Sequence, residues 1–133
     1  MKAKLFLLML LVAGTLSAQH RLTIVVEGIE EASGRLMVAL YDKENFMKKP
    51  VNGQIVQVKS DTVTVVLENI PAGEYAVSLY HDENGNGKLD TGLFGIPVEK
   101  YGFSNDAKGT YGPPAFEDCR ITVEGDLEIV VRI

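Results

Sequence analysis

The sequence predicts an all-β fold: a seven-stranded antiparallel β-sandwich of the immunoglobulin or transthyretin kind, carrying one long ordered loop. Apolar and polar residues alternate with period two over most of the chain beyond residue 20, the mark of strands with one buried face. Clusters of turn residues interrupt that alternation at short intervals, and valine and isoleucine fill it. Only one short stretch, Asp42 to Lys49 ahead of Pro50, reads as a helical turn. With 133 residues the chain can bury one core, and two separate ones would be undersized.

The strands follow in order. Leu22, Ile24 and Val26 alternate with Thr23 and Val25 until Gly28 ends the run. Leu36, Val38 and Leu40 alternate with Met37 and Ala39, and Val56 and Val58 flank Gln57. Val63, Val65 and Leu67 form the next face, followed by a tight corner from Asn69 to Gly73 with Ile70 as its apolar plug. Tyr75, Val77 and Leu79 make the fifth strand. Ile121 and Val123 then lead through Gly125-Asp126, a hairpin signal, into Leu127, Ile129, Val131 and Ile133. Two sheets sharing one core is the architecture such a series forms.

The first eighteen residues are set apart from this fold. Lys2 and Lys4 precede the apolar run Leu5–Val12, and small and polar residues ending Leu16-Ser17-Ala18 follow. That is the order of a secretory signal peptide, and the run is shorter than the roughly 20 residues that span a bilayer. The expected division is residues 1–18 as signal peptide and 19–133 as one domain. The product is then exported, periplasmic or extracellular, with no membrane span after cleavage. A single cysteine, Cys119, closes no internal disulfide and is expected to pack as a small buried hydrophobe. A formal charge of −5 lacks the basic face that a nucleic-acid backbone requires. Two histidines, with neither Gly-x-Ser-x-Gly nor His-Glu-x-x-His, leave little catalytic machinery.

Between Asp82 and Asp118 no strand can be written. The stretch nevertheless holds five of the ten aromatic residues and seven of the thirteen glycines, a composition unlike a disordered linker. It opens with Asp82-Glu83-Asn84-Gly85-Asn86-Gly87-Lys88-Leu89-Asp90. Oxygen-bearing side chains fall at positions 1, 3, 5 and 9 of an EF-hand count, with glycine at position 6. A hard cation wants six to eight oxygens, and alternate side chains of a curled loop can converge to supply them. The expected ligands of a structural Ca2+ are Asp82, Asn84, Asn86, the backbone carbonyl of Lys88, and Asp90. Position 12 is Leu93 where an EF-hand has a bidentate glutamate, so the missing ligand is water or a carboxylate from elsewhere, with Asp106, Glu117 and Asp118 as candidates. A plain polar turn is the competing reading, since Asn-Gly pairs form turns without metal.

The aromatic segment behind it has two readings. Phe94, Phe103 and Phe116 carry no polar group and are expected to fold inward as a satellite core. Tyr101 and Tyr111, with Asn105, form the candidate ligand surface for a sugar ring or an extended peptide.

Pro71-Ala72-Gly73-Glu74-Tyr75, the stretch His81–Asp90, Phe94-Gly95-Ile96-Pro97, Tyr101-Gly102-Phe103-Ser104-Asn105 and Phe116-Glu117-Asp118, behind a signal segment, together resemble a family of secreted bacterial proteins. It is known as domain of unknown function 2141. The resemblance covers nearly all of residues 19–133 and implies a small exported β-sandwich with a prealbumin-like fold. It implies no activity, so no catalytic residue is carried over. The expected function is a calcium-stabilised, non-catalytic binding or accessory module at the bacterial cell envelope, with an envelope protein or glycan as partner. The alternatives are a carbohydrate-binding module using the loop tyrosines and a hydrolase using His81 as base.

Overall fold

A computed structural model describes residues 18–133, and the expected signal peptide lies, but for Ala18, outside the described residues. The fold is all-β with two sheets. Eight strands form: β1 (Gln19–Glu27), β2 (Arg35–Tyr41), β3 (Asn52–Gln57), β4 (Val63–Pro71), β5 (Gly73–Asp82), β6 (Tyr101–Phe103), β7 (Ile121–Val123) and β8 (Leu127–Arg132). One sheet runs β4-β1-β8, the other β3-β2-β5-β6, with β7 also paired to β5. The alternating positions read from the sequence face inward. Leu22, Ile24, Val26, Val63, Val65, Leu67 and Val131 of the first sheet meet Leu36, Val38, Leu40, Val77 and Leu79 of the second in one cluster. Removing that much apolar surface from water is the main driving force for the fold.

Four local expectations are corrected. There are eight strands because Tyr101–Phe103 pairs with Ser78–Tyr80, a segment too short to show alternation. The sheets are not wholly antiparallel: β1 runs parallel to β8, Leu22 opposite Leu127 through Glu27 opposite Arg132. Gly125-Asp126 is not a hairpin, since β7 pairs with β5 and β8 with β1, so the turn carries the chain between sheets. Turn residues set the local bend; tertiary packing chooses the partner. Within 42–49, residues 44–48 form turns rather than a helix: Asp42 Oδ1 accepts the N–H and the side-chain amide of Asn45 as an N-cap would, but Met47 at φ 57° breaks the helical path. Beyond them, Asn69 at φ 61° supplies the extra residue of a bulge where the register slips between His20 and Leu22.

The residue 82–118 stretch is folded, as its composition implied. Besides β6 it holds 3-10 turns at Leu93–Gly95 and Ser104–Asp106 and one α-turn, α1, at Phe116–Cys119. Phe103, Phe116, Cys119 and Ala76 form a second small cluster, joined by Phe46. One hydroxyl ties this corner together. β7 and β6 pair with residues 73–75 and 78–80 of β5, and between them Ser104 Oγ accepts the N–H of Val77 at 2.9 Å while donating to the Cys119 carbonyl. Among the described residues no helix is long and apolar enough to cross a membrane.

Ser104 is wholly buried, so Ser104→Ala strands an N–H and a carbonyl without partners. It is expected to lower stability by about 2–4 kcal/mol in urea unfolding, well above the loss of one exposed hydroxyl. Burial, with Asp118 nearby, pushes the Cys119 thiol up to about 11. Cys119 is therefore expected to resist aromatic disulfide reagents in the native protein and to react stoichiometrically once urea unfolds it.

Candidate metal centre

The site begins with a strand pairing. In the β2–β5 ladder Arg35 is the direct partner of Asp82, so the guanidinium lies beside the carboxylate without any loop having to carry it there. Arg35 Nε donates to Asp82 Oδ2 at 3.2 Å, and its Nη2 donates to the Gly85 carbonyl at 3.0 Å. Asp82 is wholly buried. The chain then curls over it. Asn86 N–H donates to Asp82 Oδ1 at 3.2 Å and Gly87 N–H to Oδ2 at 2.8 Å. Gly87, at φ 76°, takes the left-handed turn that brings its N–H inward.

Each polar side chain continues the curl. Asn84 Oδ1 accepts the N–H of Asn86 at 3.1 Å, and Asn86 Oδ1 accepts that of Lys88 at 2.9 Å. The two amide nitrogens turn to Asp90: Asn84 Nδ2 donates to Oδ2 at 2.6 Å and Asn86 Nδ2 to Oδ1 at 2.7 Å. Asp82, Asn84, Asn86, Lys88 and Asp90 thus lie in one hydrogen-bonded loop. A residue that the spacing did not reveal completes it. Glu99 is buried, and its two oxygens accept the N–H groups of Glu83 and Asp90, both at 2.8 Å. It returns to the loop because residues 91–97 form a small hairpin, with a bridge between Thr91 and Pro97 and a bond from Val98 N–H to the Asp90 carbonyl. Gly92, Gly95 and Pro97 were the turn signals that could have announced it.

The other carboxylates considered have their partners elsewhere. Asp106 accepts from the backbone N–H and the Nη1 of Arg132, at 2.9 and 3.0 Å. Glu117 pairs with Lys43 and Arg120. Asp118 lies exposed on α1, where its carbonyl accepts from Asn105. Among the described residues no three carboxylate, imidazole or thiol groups converge closely enough to cage a metal by themselves; the donor set gathered here mixes carboxylates with amides and backbone.

The aromatic residues divide. Phe103 and Phe116 are buried, but Phe94 is 96% exposed, against the expectation that it folds inward. It occupies the tip of the 91–97 hairpin at φ 61°, where no part of the core is within reach of its ring. Tyr111 is fully exposed and Tyr101 half-exposed, its ring edge-on to Phe103. Asn105 is structural: its amide donates to the carbonyls of Asp118 and Arg120. His81 is buried, with Nε2 2.6 Å from the Ser33 carbonyl; a carbonyl only accepts, so this nitrogen carries the proton.

Burial alone would raise the Asp82 carboxyl. The Gly87 N–H, the Arg35 guanidinium and the Asn86 N–H outweigh it and hold the group below the usual carboxylate range. A depressed folded value makes stability complete above the unfolded value of 3.8 and lost as pH falls beneath it toward the folded one. Acid unfolding monitored by tyrosine fluorescence is expected to show that loss below about pH 4. In Asp82→Asn the acid limb flattens. Gly34→Ala is expected to lower the melting temperature, because at φ +63° a Cβ would stand 2.3 Å from the Asp82 carbonyl oxygen.

No curated protein and no solved structure matches the chain. A family model does, over residues 24–130, from within β1 to within β8 and across the whole Asp82–Glu99 loop. The chain therefore belongs to the family described as an uncharacterized protein conserved in bacteria, DUF2141.

Proposed function

We propose that the protein is an exported, non-catalytic binding or accessory module of the bacterial envelope, a sandwich of transthyretin-like type whose acidic loop binds a structural calcium ion. The observation that carries this reading is the gathering of Asp82, Asn84, Asn86, Asp90 and Glu99 around one curl of backbone. Backbone N–H groups already shape the loop, as a calcium loop requires before the ion arrives. Glu99 borders the loop as a further carboxylate, holding the Glu83 and Asp90 N–H groups in place. Each Asn Oδ1 that accepts an N–H keeps a second lone pair, so it can also face a cation. An ion would replace the two amide N–H contacts that Asp90 receives, and the Lys88 carbonyl would add a further oxygen. Carboxylate, amide and carbonyl oxygens together suit Ca2+ better than Mg2+, which demands a strict octahedron and keeps its waters, and three acids, Asp82, Asp90 and Glu99, border the curl. One guanidinium, Arg35, stands against those three negative charges.

With dissociation constants of about 10⁻⁴–10⁻³ M, as in extracellular modules, about 10 mM Ca2+ adds roughly 1.4–2.7 kcal/mol to stability. The melting temperature is expected to rise by roughly 5–10 °C over that in chelator. Mg2+ should give a smaller rise, and Asp82→Asn and Glu99→Gln none. Identical melts of the native chain in calcium and in chelator would remove the metal from the proposal.

A further inference from the structure

The 91–97 hairpin leaves an apolar knob standing out from the protein. Leu93 is 84% exposed, Phe94 96%, Ile96 63% and Val98 67%. From Gly92 to Val98 every residue is glycine, proline or a hydrocarbon side chain. Isolated exposed hydrophobes are ordinary, but four in one seven-residue stretch signal a partner.

We propose that this tip inserts into the interfacial layer of a phospholipid bilayer, docking the protein peripherally on a membrane surface. The shape points to that occupant. Phe94, 96% exposed at the apex, has no neighbouring wall that could form a binding groove around its ring. Its backbone is also partly closed upon itself: Gly92 N–H donates to the Ile96 carbonyl at 2.8 Å, Ile96 N–H to that of Leu93, and Val98 N–H to that of Asp90. Lipid offers few partners to polar groups, so an inserting segment must satisfy its own. Lysines stand on either side in the chain, Lys88 before the tip and Lys100, 3.6 Å from Glu30, after it, with Lys108 lining the cleft that Val98 and Tyr101 also line. Cations and a tyrosine flanking an apolar wedge match the layering of headgroups over acyl chains. The foot of the hairpin is anchored by Asp90 and Glu99, so the wedge is held rigid, and its docking does not depend on a bound metal.

The chain contains no tryptophan, so a single introduced indole reports its own surroundings. In the chain from Gln19, which contains every described strand, Phe94→Trp is mixed with vesicles of phosphatidylethanolamine and phosphatidylglycerol. Tyr111→Trp, at a fully exposed position outside the hairpin, serves as the reference. The expected result is a blue shift with lipid in F94W and none in Y111W. Vesicle flotation should fall at least about tenfold for the double variant Leu93→Ser/Phe94→Ser, with an unchanged melting temperature. No blue shift in F94W at saturating lipid overturns the proposal. So does an equal shift in both variants, or a shift in F94W with envelope protein but not with lipid, which would assign the tip to a protein pocket.

Discussion

The fold depends on β5 being hydrogen-bonded along both edges. One edge meets β2 from Ala76 to Asp82; the other is shared by β7, Ser104 and β6 in succession. A central strand must exclude water on both sides, and here three short pieces of distant sequence do what one long strand usually does. That division explains why the stretch after Asp82 is ordered despite its few regular residues. It is pinned to β5 at Tyr101–Phe103, at Ser104 and, through α1, at Ile121–Val123.

The same strand end generates the electrostatics of the acidic loop. Asp82 is desolvated because β5 carries it under its own continuation, a cost that would be severe without compensation. Arg35 and two backbone N–H groups supply that compensation, and all three exist only in the folded geometry. Glu99 follows the same pattern with two N–H donors. Carboxylates held by backbone amides rather than by long flexible cations lose little entropy on ordering. The loop is thus shaped by local bonds.

How much of this was legible in the sequence depends on the range of the interaction. Period-two alternation located the strands of the shared core, because one buried face is a local property. It missed β6, where Tyr101, Gly102 and Phe103 are too few to show a period, and it said nothing about partners, so Gly125-Asp126 read as a hairpin. Asp82, Asn84, Asn86 and Asp90 were visible because their bonds span eight residues or fewer. Glu99 was not, since it reaches the loop only after a hairpin reverses the chain. Phe94 misled for a related reason: hydrophobicity predicts burial on average, whereas a left-handed residue at the apex of a hairpin points wherever the apex points.

The parallel pairing of β1 with β8 sets Leu22 opposite Leu127. Closing a loop of that span costs entropy that nearby contacts cannot offset in advance. During synthesis β1 can meet β4 early, yet its other edge stays bare until β8 has been made. Completion of the β4-β1-β8 sheet therefore waits for its last strand, and an edge of β1 stands open to water until then.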